Sequence, residues 1–177
     1  VGVGISKGSL YKYFESKEDL LMQVFKYNHD KMLKEASYIS SNQSLVPKEK
    51  LKKMLCIEFE GILENRDYFN LITKSLPLED SHEFRKLMRQ IKAEMVTWHK
   101  EILHQVYGEK ISRNIWDIVI VLQGTLKEYI HLFIQDKKKL KAEKIADFIL
   151  FALDAIVSHQ RLPAPVLANE MMREYEE

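Results

Sequence analysis

Ser6-Lys7-Gly8-Ser9-Leu10-Tyr11-Lys12-Tyr13-Phe14-Glu15-Ser16-Lys17 reads as one short helix, a tight turn and the capped start of a second helix. Ser6 can satisfy the first orphan N–H groups of the short helix. Ser16 with Asp19 three residues on makes a capping-box-like start, in which the acidic side chain also meets the positive end of the helix. Leu10 and Phe14 are one turn apart and Ile5 precedes them, so these three turn inward together. Lys7, Ser9, Tyr11, Lys12 and Lys17 are left facing out. That outward set is basic, hydroxylated and aromatic, which suits phosphate oxygens, and Gly8 lets a backbone approach another surface with no Cβ in the way. Residues 1–17 hold Lys7, Lys12 and Lys17 against Glu15 alone, although the whole chain has a net charge of only +1. A face that binds a polyanion needs only such a local excess.

The run Gly4-Ile5-Ser6-Lys7-Gly8-Ser9-Leu10-Tyr11-Lys12-Tyr13-Phe14, continued by Ser16-Lys17-Glu18-Asp19-Leu20-Leu21, resembles the end of the TetR-family helix-turn-helix. The resemblance covers about a tenth of the chain. It implies a dimeric, all-helical transcriptional regulator that responds to a small ligand. By the same resemblance, Lys7 to Tyr13 match the recognition helix that enters the major groove. Lys7, Gly8 and Ser9 then lie nearest base edges, while Ser6, Tyr11, Lys12, Tyr13 and Lys17 meet phosphates. The family carries a first helix and a positioning helix before this point, whereas Val1-Gly2-Val3 precede Gly4 here. The 177 residues by themselves are therefore expected to bind DNA poorly.

Outward from this stretch the apolar spacing is helical nearly everywhere, and no segment alternates with strand period for long enough to compete. The expected fold is all-α, with residues 1–25 a partial helix-turn-helix and residues 26–177 a ligand-binding and dimerisation domain. Leu21, Phe25, Met32, Ala36 and Ile39 form one stripe from Lys17 to Ile39, on a helix roughly 33 Å long. Ser40 to Ser44 is a polar loop. Pro47 suits a first turn, and Leu51, Leu55, Phe59, Ile62 and Leu63 carry the next stripe until Asn65-Arg66-Asp67 breaks it. Tyr68-Phe69-x-Leu71-Ile72 starts a short helix that Pro77 ends. Phe84, Leu87, Met88, Ile91, Met95, Trp98, Ile102 and Val106 predict a long helix stopped at Gly108. Leu167, Met171 and Tyr175 hint at a terminal helix after Pro163 and Pro165.

Two later helices are apolar almost all round, through Ile115-Trp116-x-Ile118-Val119-Ile120-Val121-Leu122 and Phe148-Ile149-Leu150-Phe151-Ala152-Leu153. Burial on both sides is implied, one side in the chain's own core and the other against a second subunit. Ile120, Leu126, Phe148, Ile149, Phe151, Ala152 and Ile156 are the expected contacts of a homodimer, in agreement with the TetR-like arrangement. Lys137-Lys138-Lys139 and Lys141 form a solvated connection between these helices.

Phe59, Tyr68, Phe69, Trp98, His99, Trp116 and Gln123, with Tyr107, combine large apolar walls with a few polar tips, the composition of a pocket between bundle helices. Met54, Met88 and Met95 can make such walls adaptable. An apolar or amphipathic effector fits this lining. No HExxH, Gly-rich phosphate loop or cysteine pair occurs, and His99 and His104 are five apart on different helix faces, so no metal, cofactor or catalytic function is expected. The single Cys56 excludes an internal disulfide. Ile118 to Leu126, nine residues interrupted by Gln123 and Gly124, is too short to cross a bilayer, and a cytoplasmic location is expected. The reading is a ligand-responsive regulator, with repression as its expected sign, that binds palindromic double-stranded operator DNA. The alternative is an all-helical ligand-sensing or interaction protein that does not touch DNA.

Overall fold

The computed structural model describes residues 13–65, 81–136, 139–159 and 162–175, and its regular elements there are all helical. The recognition segment from Ser6 to Lys12 and the short helix expected at Tyr68 to Ile72 lie outside the described residues. The described α-helices are α1 (Lys17–Ser41), α2 (Pro47–Glu64), α3 (His82–Tyr107), α4 (Ile115–Asp136) and α5 (Ala142–Val157). A 3-10 turn, Gly108–Asn114, joins α3 to α4, and another, Asn169–Tyr175, lies near the C-terminus.

Local chemistry sets the boundaries. Ser16 caps α1 by accepting the Asp19 N–H at 3.0 Å. The Asp19 carboxylate reaches back to the Glu15 N–H at 3.1 Å, so the reciprocal bond falls one residue before the cap. At the other end the Asn42 N–H returns to the Ile39 carbonyl, and the Asn42 side chain accepts the Ser44 N–H and hydroxyl to turn the chain toward Pro47. Pro47 opens α2, where its missing donor is no loss. Ser81 caps α3 through the Phe84 N–H, and α3 stops at Gly108, whose φ of 58° and ψ of −145° suit a residue without a Cβ.

Helix α2 packs against each of the other four. Leu51, Met54, Leu55 and Phe59, spaced by three and four, are buried on it, and Phe59 meets the Phe133 ring edge-on at a centroid distance of 6.0 Å. Helix α5 runs antiparallel to α2, because Lys48 pairs with Asp154 while Lys52, one turn later, pairs with Asp147. Tyr107 donates its hydroxyl to Asp154 at 3.0 Å, and burial first, then that bond, pushes its phenol well above the ordinary value. Cys56 is half-buried at the α2–α5 side, where burial and then the charges of Glu60 and Glu143 raise its thiol and keep it protonated.

The C-terminal segment is strapped onto the bundle. Asp117 accepts the backbone N–H groups of Val166 and Leu167. Asn114 donates to the Pro163 carbonyl, the Trp116 indole to Asn169, and the Thr97 hydroxyl to the Tyr175 carbonyl. Met172 is buried beneath this strap, which is a 3-10 turn and not the regular helix the spacing hints at. Substituting Gly108→Ala forces a Cβ into a backbone region nearly reserved for glycine, although no neighbouring atom would clash with it. Urea denaturation should show a loss of about 1–3 kcal/mol.

Candidate functional site

Two features follow from how these helices meet: a cavity where α1, α2 and α3 converge, and an exposed apolar face on α4 and α5. The cavity has a volume of about 170 Å³. Phe25 and Met32 of α1, Ile62 of α2, and Ile91 and Met95 of α3 form its apolar wall. Gly61 leaves room on the α2 side, since a Cβ built there meets nothing within 4 Å. Its polar lining is Asn28, His29 and Glu58.

Each polar group belongs to a link between helices. His29, buried on α1, shares its Nε2 with the Glu94 carboxylate of α3 at 2.8 Å. Burial pushes Glu94 up, but hydrogen bonds from Gln90 and His29 and the His29 and Lys26 charges outweigh it, so the carboxyl sits below its usual range. Asn28 donates to Asn65, which in turn donates to the Gly61 carbonyl, so the end of α2 is held to α1. Glu58 accepts from His99 Nε2 at 3.0 Å, and Gln123 Nε2 donates to His99 Nδ1 at 3.2 Å. With Nδ1 accepting, the neutral tautomer of His99 carries its proton on Nε2 and gives it to Glu58. This chain of three side chains joins α2, α3 and α4 through the core.

The expected pocket residues are thus divided. His99 and Gln123 form the polar link behind the cavity. Phe59 and Trp116 are ordinary core, each about 1 % exposed, and the Trp116 ring also carries Lys100 Nζ 4.5 Å from its centroid. Trp98 stacks on His99 and lines a separate groove with Leu33, Thr97 and Tyr175. Tyr68 and Phe69 lie outside the described residues. Of the methionines named as wall formers, Met95 lines the cavity while Met54 is core. The sequence signal for the true lining is Gly61, a glycine inside an amphipathic helix where nothing local calls for one.

The expected dimer residues divide as well. Ile120, Phe148 and Phe151 are exposed in the single chain, at 49 %, 52 % and 68 %. Leu126 and Ile149 are 2 % and 1 % exposed inside the chain's own core, so they leave the candidate contact set. Ala152 and Ile156 are half-buried. Val121, Gly124 and Ala155 extend the exposed face, and Tyr129 meets Phe148 edge-on across the packed α4–α5 pair. Of the expected DNA contacts, Tyr13 is described and is 79 % exposed just before the α1 cap, and Lys17 opens α1 with its side chain outside the description. Ser6, Lys7, Gly8, Ser9, Tyr11 and Lys12 lie outside the described residues. No group of acidic, cysteine and histidine side chains able to hold a metal occurs among the described residues. No described helix is long and apolar enough to cross a membrane.

Residues 2–24, the stretch that leads into and through the capped start of α1, match the family described as bacterial regulatory proteins, tetR family. Over this stretch the chain is similar to the TetR family. It is 28 % identical over 153 residues to the uncharacterized HTH-type transcriptional regulator YuxN of Bacillus subtilis (strain 168), an alignment covering 86 % of this chain and 52 % of that protein. It is also 28 % identical over 156 residues to the uncharacterized HTH-type transcriptional regulator YerO of the same organism, covering 87 % of this chain and 54 % of that one. The chain spans about half the length of the curated relatives it matches. No solved structure matches it significantly.

The polar link makes a prediction about stability. Glu58→Ala removes the acceptor of a buried imidazole N–H and should cost about 1–3 kcal/mol. Glu58→Gln keeps an acceptor and should cost less than half as much, both read by urea unfolding at neutral pH.

Proposed function

We propose that the protein is a ligand-responsive transcriptional repressor that binds palindromic operator DNA as a homodimer and catalyses no reaction. The observation that carries this reading is the path of α1. Its capped N-terminus emerges from the TetR-matching segment, and its middle supplies Phe25, Asn28, His29 and Met32 to the cavity. One rigid helix thus connects a DNA-reading unit to a place where a small molecule fits. A ligand that favours one position of α1 changes the separation of two recognition helices, and DNA affinity changes only by the ligand's differential affinity for the two arrangements, ~1–3 kcal/mol in typical cases. In this reading Ser6 to Tyr13 and Lys17 face the operator, and the site of action is the cytoplasm, where the DNA lies.

The exposed face of α4 and α5 supports the dimer. Phe148, Phe151 and Ala155 follow one another at three- and four-residue spacing on α5, beside Ile120, Val121 and Gly124 on α4. A second copy covering this face removes the aromatic surface from water, and the two-fold arrangement matches a palindromic site.

Anisotropy titration of the full-length protein against operators selected from random duplexes should give tight, palindrome-selective binding that weakens steeply with salt. Lys12→Ala should lower affinity on every sequence, whereas Lys7→Ala should also relax base preference. Binding indifferent to sequence at low salt would remove the regulatory reading. For the dimer, Phe151→Glu should halve the solution mass measured by light scattering, and a wild-type mass at full stability would take this residue out of the interface.

A further inference from the structure

We propose that the α1–α2–α3 cavity selects a small organic cation, an ammonium or amidinium carried on a single ring or short branched alkyl group. The assignment deepens the regulatory reading, since it names the class of ligand that α1 would respond to. It begins with the charge of the lining. Among the described residues no lysine or arginine lines the cavity; the carboxylate that does, Glu58, is largely buried with its side chain 13 % exposed, and His29 is engaged by Glu94.

The polar atoms can be accounted for one at a time. Asn28 gives its amide to Asn65, and His29 Nε2 is engaged by Glu94. Glu58 Oε2 takes the His99 N–H. Glu58 Oε1 has no protein partner among the described residues. Gln123 donates to Nδ1 and so holds the His99 ring with its Nε2 toward Glu58. The Glu58–His99–Gln123 link therefore places a carboxylate with one unpartnered oxygen at the wall of an apolar space. A buried carboxylate in such a place is balanced best by an opposite charge with a hydrogen to donate. An ammonium N–H at Oε1 supplies both, while its hydrocarbon portion fills the space between Phe25, Met32, Ile91 and Met95. An anion of the same shape meets the same carboxylate and is repelled.

Size bounds the ligand. The cavity volume of about 170 Å³ is close to the ~150 Å³ apolar cavity that admits benzene. One ring or a branched chain of similar bulk fits, and a fused-ring dye does not. Gly61 maintains the space, because any larger side chain there grows into it without meeting a neighbour within 4 Å of its Cβ.

The test uses three ligands of one shape on the intact chain at neutral pH: benzylammonium, benzyl alcohol and benzoate, with affinities from titration calorimetry. Benzylammonium should bind at least tenfold more tightly than benzyl alcohol, and benzoate should give no detectable binding. E58Q, which retains an acceptor for His99, should erase the preference, bringing benzylammonium to the affinity of benzyl alcohol. Gly61→Leu, which leaves the polar link untouched, should abolish binding of both and keeps the test open if E58Q does not fold. Equal affinity for the cation and the alcohol, a preference that survives E58Q, or benzoate binding as well as benzylammonium would overturn the assignment. Operator titration of the full-length protein, run alongside, separates the two readings. Intact DNA binding without cation discrimination defeats only this assignment, and discrimination without DNA binding defeats only the regulatory one.

Discussion

Helix α2 is the constraint on which the other elements depend, because it packs against α1, α3, α4 and α5. Leu51, Met54, Leu55 and Phe59 give it a continuous apolar side, and each large side chain of this kind contributes ~1.5–3 kcal/mol when fully buried. Apolar contact alone leaves rotation and sliding of one helix on another only weakly opposed. The polar pairs on α2 remove that freedom. Lys48 and Lys52 set its register against α5, Glu58 sets it against α3, and Asn65, just past its end, ties it to α1. Exposed pairs such as Lys52–Asp147 add little stability, but the buried Glu58–His99 bond is costly to leave half-made, so it specifies one arrangement.

Much of this was legible in the chain because the decisive signals are local. Ser16 before Asp19, Pro47 at a first turn and Gly108 after a long amphipathic run each act within a few residues, and α1, α2 and α3 begin or end beside them. Signals that depend on partners far away were not. Asp117 bonds to Val166 and Leu167, forty-nine and fifty residues on, and nothing in its neighbourhood announces this. His99 reads as a lone histidine on an apolar helix until α2 and α4 bring Glu58 and Gln123 to its two nitrogens. The same limit explains the division of the apolar residues. A helix that is apolar all round says that both faces are covered but not which face meets which partner, so Ile149 and Phe151 looked alike although one is core and the other exposed. Large aromatics were a poor guide to the cavity for a related reason: Phe59 and Trp116 fill space so well that they leave none.

The cavity exists where packing is deliberately incomplete. Gly61 costs α2 about 1 kcal/mol of helix propensity relative to alanine, and the wall opposite it carries Met32 and Met95, whose unbranched side chains adapt to what lies beside them. A core selected for stability alone would place a larger residue at position 61. The spared volume lies against α1 and not against the α4–α5 face.

Geometry then sets how far such an effect carries. Helix α1 has 25 residues and is therefore about 37 Å long, and the cavity contacts fall between Phe25 and Met32, about 12–23 Å from its capped start. The His29–Glu94 bond lies within this same stretch and fixes α1 to α3 at one point. With the Asn28–Asn65 bond beside it, this link holds the middle of α1, and a tilt of about 10° about that stretch displaces the N-terminus by roughly 2–4 Å. In the proposed regulator displacements of this size matter, because a dimer must match two half-sites about one helical turn apart and under two-fold symmetry the errors add. The cap at Ser16 and Asp19 is consequently more than a terminus: it fixes the direction in which the preceding segment leaves α1, and any movement at the pivot arrives there undiminished.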